Sequence, residues 1–109
     1  MTAATLVFCT CPDETSADRI ATTLVAERFA ACVNRVPGVI STYRWQGEIR
    51  QGSEQLLIIK TMRDRFDALR ERIVSLHPYE LPEVIAVNIA DGLDRYLAWI
   101  ERETDTQGR

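Results

Sequence analysis

The chain has 109 residues, of which 46% are hydrophobic and 27% are charged, and its formal net charge is -3. This length supports a single globular domain over residues 1–109, without room for a linker and a second core. The acidic balance gives no support for general nucleic-acid binding, and no apolar run approaches the roughly 20 residues that a membrane-spanning helix needs.

The first predicted elements are a strand and a helix. Residues 5–11 alternate weakly, with both faces largely apolar, which predicts a short strand in the middle of a sheet. A helix is predicted from about Glu14 to Ala30, because apolar residues recur there at helical spacing. Asp13 or Thr15 is the predicted N-cap of this helix.

The longest predicted element is a β-hairpin over Ala31–Thr61 that turns at Gln46-Gly47-Glu48. Its first arm of about 16 residues would extend over roughly 50 Å, whereas a domain of this length has a radius of gyration of about 13 Å. Either the arm bends at Pro37-Gly38, where a bulge is favoured, or its far end pairs with another copy of the chain. Tyr43 and Trp45 near the tip are the predicted contact residues of that interface.

The second half of the chain predicts a helix, a strand and a last helix. The second helix spans Arg65 to Leu76, with Asp64 as a plausible cap. A fourth strand is predicted over Val84–Ala90, and an amphipathic helix runs from Leu93 to about Glu103. Residues 104–109 are predicted to form a frayed tail.

This order of elements predicts an α+β fold, namely a ferredoxin-like (split β-α-β) sandwich with a long β-hairpin and an extra C-terminal helix. Helices are expected to cover one sheet face, and right-handed crossovers put strands one and three in the middle. The long second strand is then an edge. The uncovered sheet face and this edge both indicate a homo-oligomer that assembles by sheet contact.

Few residues of the sequence are candidates for metal binding or catalysis. His77 is the one histidine of the sequence, and it precedes a proline at a helix end; the reading favoured on sequence alone is a helix terminator whose imidazole caps the last carbonyls. Cys9 and Cys11 share one strand face, where two thiolates would hold a soft ion such as Cu(I) or simply pack in the core. Cys32 is predicted to be a plain core residue.

The loop after His77 adds two carboxylates. Glu80 and Glu83 flank Leu81-Pro82 and would supply oxygen ligands to a candidate pocket near His77, or would simply be solvated. A Cys9–His77 nucleophile pair is conceivable, although nothing in the sequence orients the histidine. We find no phosphate-cradling loop and no specific paired-carboxylate or serine-histidine-acid pattern.

Several segments resemble the CutA family of small divalent-cation tolerance proteins, in the same order and over nearly the whole chain. They are Cys9-Thr10-Cys11-Pro12-Asp13, Ala30-Ala31-Cys32-Val33-Asn34, Pro37-Gly38-Val39, Tyr43-Arg44-Trp45-Gln46-Gly47, Leu57-Ile58-Ile59-Lys60-Thr61, His77-Pro78-Tyr79-Glu80 with Pro82-Glu83, and Tyr96-Leu97-Ala98-Trp99-Ile100.

The resemblance implies a ferredoxin-like homotrimer with hairpins laced across subunit boundaries, and a link to tolerance of copper and other divalent metals. It implies Cys9 and His77 as copper ligands. Some family members carry a second histidine directly before the helix-end one, whereas this chain has Leu76 there. The family brings no established catalytic activity, and its trimer is similar in architecture to PII signalling proteins.

The sequence therefore predicts a trimeric metal-binding protein, not an enzyme, whose partners are copies of itself and copper or another divalent cation. An odd number of cysteines, without disulfide spacing or a signal-peptide pattern, favours the cytoplasm. The alternative is a PII-like signalling or adaptor protein that binds a small molecule or partner protein at the subunit boundary. A thiol- or histidine-dependent enzyme is a third hypothesis, supported only by the Cys9–His77 pairing.

Overall fold

The computed structural model describes residues 2–106, which form an α+β fold of four strands and three α-helices in the predicted order. The strands are β1 (Ala4–Cys11), β2 (Cys32–Trp45), β3 (Glu48–Met62) and β4 (Ile85–Asn88). The helices are α1 (Glu14–Ala26), α2 (Phe66–Leu76) and α3 (Asp94–Thr104), and a 3-10 turn at Arg63–Arg65 precedes α2.

The four strands form one antiparallel sheet in the order β2-β3-β1-β4. This confirms that the first and third strands lie in the middle and that the long second strand is an edge. β1 pairs with β3 along its whole length, but its pairing with β4 ends at Phe8, opposite Ile85. The last three residues of β1, Cys9 to Cys11, therefore have no strand on the β4 side.

The β2–β3 hairpin extends well beyond the rest of the sheet. β1 covers β3 only from Gln55 to Met62, so residues 48–54 of β3 pair with β2 alone. The longest dimension of the molecule is accordingly 47 Å, against 25 and 22 Å for the other two. We call the two-stranded part, residues 39–54, the distal ribbon.

Three positive backbone φ angles shape this ribbon, two in its turn and one at its base. The turn consists of Gln46 and Gly47, with φ of 51° and 79°, between the paired residues Trp45 and Glu48. Two consecutive left-handed residues give a hairpin turn whose twist matches that of the strands. At the other end the register shifts between Val36 and Val39, and Gly38 has φ of 74°. The bulge predicted at Pro37-Gly38 is thus confirmed.

Helices α1 and α2 cover one face of the sheet. The core between them consists of small and aliphatic side chains from β1, β3 and both helices. Its members include Val7, Cys9, Cys11, Leu57 and Ile59 from the sheet and Ile20, Leu24, Leu69 and Ile73 from the helices.

Helix α3 lies on the opposite sheet face, so the expectation that the helices cover one face is only partly right. Ile100 of α3 packs with Ala4 and Ala31 in a separate cluster, and Ala4 faces away from Val7 because side chains alternate along a strand. α3 covers only one end of this face. The uncovered remainder is apolar and carries Leu6, Phe8, Leu56, Ile58, Ile85 and Val87.

The predicted start of helix α1 is confirmed, but its predicted end is not. Its N-cap is Asp13, whose carboxylate accepts a hydrogen bond of 2.8 Å from the Ser16 N–H. It ends at Ala26 rather than Ala30, because Arg28 adopts a left-handed φ of 62° and Phe29 and Ala30 donate back to the Leu24 carbonyl. A left-handed residue with such back-bonds is a common helix ending.

Three other boundaries also differ. Asp64 does not cap α2, since it lies inside the 3-10 turn and α2 has no side-chain N-cap. Strand β4 is shorter than predicted, with Ile85–Asn88 in place of Val84–Ala90. Thr104 is not tail but the last residue of α3, buried and hydrogen-bonded to the Ile100 carbonyl; residues 107–109 of the predicted tail lie outside the described residues.

Candidate metal centre

Cys9, Cys11 and His77 come together at the end of β1. Their ligand atoms, two sulfurs and one imidazole nitrogen, all lie within 4.8 Å of one another. Strand alternation turns both cysteines toward the helices, and α2 ends beside them, so that the residue after the helix, His77, reaches the same place. Among residues 2–106, Cys9, Cys11 and His77 form the one group of at least three potential metal ligands that the fold brings together.

Both ring nitrogens of His77 are engaged in hydrogen bonds. Nε2 lies 2.8 Å from the carbonyl oxygen of Thr10, and Nδ1 accepts the N–H of Tyr79 at 3.1 Å. Since a carbonyl only accepts, Nε2 carries the hydrogen and the imidazole is the neutral tautomer. The Thr10 carbonyl lies past the last β1–β4 pair, so His77 supplies the hydrogen bond that β4 does not.

α2 ends directly before His77, as predicted for a helix terminator, but the prediction that the His77 imidazole caps the last carbonyls of that helix is wrong. Arg19 from α1 takes that role, because its Nη2 donates to the Leu76 carbonyl at 2.6 Å. The imidazole, which is 8% exposed, instead caps a carbonyl of β1. A buried carbonyl without a partner would cost free energy, so this contact gives His77 a structural function whether or not metal binds.

Tyr79 closes the site from outside, a role that the sequence did not reveal. Its ring lies 4.8 Å from the His77 ring, and its hydroxyl donates to the Glu54 carboxylate at 2.7 Å. Burial and the bond to Glu54 raise the pKa of Tyr79 well above its ordinary value. Tyr79 thereby connects the loop after α2 to the base of the distal ribbon.

The two thiols influence each other strongly. Hydrogen bonding to Cys11, together with burial, raises the pKa of Cys9 far above that of an ordinary thiol, and the carboxylates of Glu83 and Glu54 act in the same direction. The same interaction lowers the pKa of Cys11, since the Cys9 thiol stabilises a Cys11 thiolate. The two thiols therefore titrate as a coupled pair, and a metal would have to displace their protons.

The donor set fits a soft metal ion. Metal–sulfur bonds of about 2.3 Å place two sulfurs about 3.7 Å apart in a tetrahedral site and about 4.6 Å apart in a linear one. The three ligand atoms lie at most 4.8 Å from one another, a limit that admits both arrangements, and sulfur with imidazole suits Cu(I) or zinc. The imidazole would, however, have to release Thr10 or Tyr79 before it offered a lone pair.

Comparison with known proteins identifies the family. The profile described as "CutA1 divalent ion tolerance protein" matches residues 5–103. The chain belongs to the CutA1 divalent ion tolerance protein family. It is 50% identical over 99 residues to the "Divalent-cation tolerance protein CutA" of Thermus thermophilus, covering 91% of this chain and 96% of that one. The Escherichia coli protein of the same description is 39% identical over 99 residues, with coverage of 91% and 88%.

A solved structure of this family has the same fold. The crystal structure of CutA from Xylella fastidiosa superposes with a TM-score of 0.93 at 50% identity, covering 95% of this chain and 100% of that one. "Protein CutA, chloroplastic" from Arabidopsis thaliana is 42% identical, but the chain spans only 54% of its length. These relatives are named for CutA and ion tolerance, which does not favour the PII-like alternative.

The remaining predicted residues of this CutA1-family chain lie around the site or on the ribbon. Glu80 and Glu83 are exposed and lie outside the three-residue cluster. Tyr43 is 48% exposed and Trp45 half-buried, both on the distal ribbon. Cys32 is not plain core, because it is half-buried on the other sheet face, 3.8 Å from the Lys60 ammonium.

Two further observations bear on the function of the CutA1 fold here. A Cys9–His77 catalytic pair is not supported, since neither imidazole nitrogen is free to take the thiol proton and the pKa of Cys9 is raised, the opposite of an activated nucleophile. None of the helices within residues 2–106 has the length and apolar character required to cross a membrane.

Proposed function

We propose that this protein contributes to divalent-cation tolerance as a homotrimer that binds copper or another soft metal at Cys9 and His77, and that it is not an enzyme. Membership of the CutA1 family and the names of its relatives support the tolerance role. The observation that carries the metal site is the convergence of the Cys9 sulfur and a His77 nitrogen, with the Cys11 sulfur beside them, within 4.8 Å.

The residue before His77 supports a role for Cys11. Leu76 occupies the position at which a second imidazole would lie, and it offers no ligand atom. A site of two residues would bind weakly, whereas the Cys11 sulfur supplies a third soft donor within 4.8 Å of the other two ligand atoms. All three donors are buried, so water does not compete for the metal once it is in place.

Metal titration under reducing conditions tests this proposal. We expect the wild type to bind copper, and the Cys9→Ser and His77→Ala variants to bind at least tenfold more weakly, in line with losses of ligands and of their supporting contacts. Binding should weaken as the pH falls, because protons compete for thiolate and imidazole. Equal copper affinity of all three proteins would refute the assignment.

Glu80 and Glu83 are proposed as the acidic entrance to the site rather than as ligands within it. Support comes from the charge of Glu83, which raises the pKa of Cys9 and so acts at that sulfur. A negative entrance attracts cations and speeds their arrival. Glu83→Gln should therefore slow metal uptake at low ionic strength while leaving the number of bound ions unchanged, which stopped-flow mixing would measure.

The homotrimer and the cytoplasmic location belong to the same proposal. The apolar sheet face that α3 leaves uncovered and the distal ribbon with Tyr43 and Trp45 support assembly. Three free thiols, two of them adjacent, support a reducing compartment. Cell fractionation of the native protein is the check on location.

A further inference from the structure

We propose that the metal held by this protein is monovalent copper, bound between the thiolates of Cys9 and Cys11, and that His77 remains in its hydrogen bonds as a positioning residue. This inference rests on the metal-binding role in the proposed function and on its ligand Cys9. It replaces His77 by Cys11 as the second ligand, and it assigns the metal an oxidation state.

The first argument is the placement of the two sulfurs. Cys9 and Cys11 are two residues apart on the same face of a central strand, and both are 0% exposed. The pairing of β1 with β3 is continuous through both residues, so the backbone fixes their separation. The two sulfurs lie at most 4.8 Å apart, a limit that admits the separation of about 4.6 Å in a linear two-coordinate site.

The second argument is that His77 is already satisfied. Its Nε2–H bonds the carbonyl of Thr10, the residue between the two cysteines, and its Nδ1 accepts the Tyr79 N–H. Ligation would require one of these bonds to break and would leave a buried backbone group without a partner. The hydrogen bond to Thr10 instead holds the backbone between Cys9 and Cys11 in place. His77 therefore acts on the metal by positioning the two sulfurs.

The third argument concerns the oxidation state. No carboxylate belongs to the cluster of potential ligands among residues 2–106, since Glu54 and Glu83, whose charges act on Cys9, lie outside it. Structural zinc takes four ligands and Cu(II) favours nitrogen and oxygen donors, so a site of two thiolates without further ligands suits Cu(I). The binding step balances as one Cu(I) and two thiols giving a copper bis-thiolate and two protons, with no change of oxidation state.

The experiment is an anaerobic Cu(I) competition titration on the intact protein, combined with copper X-ray absorption. The variants are Cys9→Ser, Cys11→Ser, His77→Gln and, as a matched control, Cys32→Ser on the opposite sheet face. His77→Gln retains an N–H donor at the position of Nε2, so it preserves the hydrogen bond to the Thr10 carbonyl but removes the imidazole. Circular dichroism confirms that each variant is folded.

We expect one Cu(I) per chain, at least a hundredfold loss of affinity for Cys9→Ser and for Cys11→Ser, and less than a threefold change for Cys32→Ser and His77→Gln. The copper coordination sphere should contain sulfur only, in the wild type and in His77→Gln alike. Full affinity in Cys11→Ser, or a nitrogen neighbour that disappears in His77→Gln, would overturn the inference.

The failure of this inference is distinguishable from that of the proposed function. A wild-type protein that binds divalent copper or zinc at Cys9 and His77 but not Cu(I) would overturn the Cu(I) assignment and leave the proposed function standing. A protein that binds none of these ions would remove both.

Discussion

At the scale of single residues, His77 decides how the candidate site is held together. It joins the end of α2 to β1 through Thr10 and to its own loop through the N–H of Tyr79. Both contacts involve backbone groups that no strand or helix satisfies. The imidazole therefore has a structural role that is independent of any metal.

Replacing His77 should destabilise the metal-free protein. His77→Ala leaves the Thr10 carbonyl and the Tyr79 N–H without their partner, and each buried unsatisfied group costs about 1–3 kcal/mol. We expect a loss of about 2–4 kcal/mol in the free energy of unfolding, measured by urea denaturation at matched chain concentration. His77→Gln should recover roughly half of this loss, because its amide donates to Thr10. Equal stability of the wild type and His77→Ala would show that the two hydrogen bonds contribute nothing.

The orientation of the two cysteine side chains could be predicted from the sequence, whereas the hydrogen-bond partners of His77 could not. Alternation along a strand is a local rule, so the shared face of Cys9 and Cys11 could be read directly. The partners of His77 depend on where β4 stops, which is a property of the folded sheet. Thr10 is far from His77 in sequence, and no local pattern indicates that its carbonyl needs a donor.

At the scale of elements, the distal ribbon depends on two left-handed glycines. Gly38 at the bulge has φ of 74° and Gly47 in the turn has φ of 79°. Turn and bulge residues carry strong local preferences, which is why both could be predicted. The end of α1 and the N-terminal boundary of α2 without an Asp64 cap could not, because the Arg28 conformation and the 3-10 turn at Arg63–Arg65 involve no capping side chain that the sequence would reveal.

Alanine substitution should distinguish backbone strain from packing in the ribbon. An added Cβ meets no atom within 4 Å at Gly38 or at Gly52, but only Gly38 has a positive φ. Gly38→Ala should therefore cost about 1–2 kcal/mol, and Gly52→Ala close to nothing. Chemical denaturation of both variants at one chain concentration is the measurement. Similar effects of the two substitutions would show that the left-handed angle is not the cause.

The N-cap of α1 predicts a pH dependence. Hydrogen bonds from Ser16 lower the pKa of Asp13 below its ordinary value, so its carboxylate stabilises the fold above the unfolded-state pKa, and this stabilisation is lost as the pH falls through the folded-state pKa. Asp13→Ala should be less stable than the wild type at pH 7, and the difference should shrink below about pH 4. Thermal unfolding followed by circular dichroism tests this. Asp13→Asn, whose amide accepts at every pH, should show a constant advantage over Asp13→Ala.

At the scale of the whole molecule, the two sheet faces differ in how they are covered. α1 and α2 bury one face, while α3 covers only an end of the other. The apolar residues left outside include Ile85 and Val87 on the edge strand β4, which are 55% and 45% exposed. An apolar sheet face and a free strand edge together favour association with further copies of the chain. The order of elements was sufficient to predict this face, but not the position of α3 on it.

If the chains associate through this face, the mass of the particle in solution can be predicted. We expect sedimentation equilibrium at micromolar concentration to give three times the chain mass of 12.4 kDa. Ile85→Asp should lower that mass toward one chain, because it would bury an unpaired carboxylate at the interface. Val74→Asp is the matched control, since Val74 is 51% exposed on α2, on the helical side of the molecule, and its substitution should leave the mass unchanged. If Ile85→Asp kept the wild-type mass, the open sheet face would not be the surface through which the chains associate.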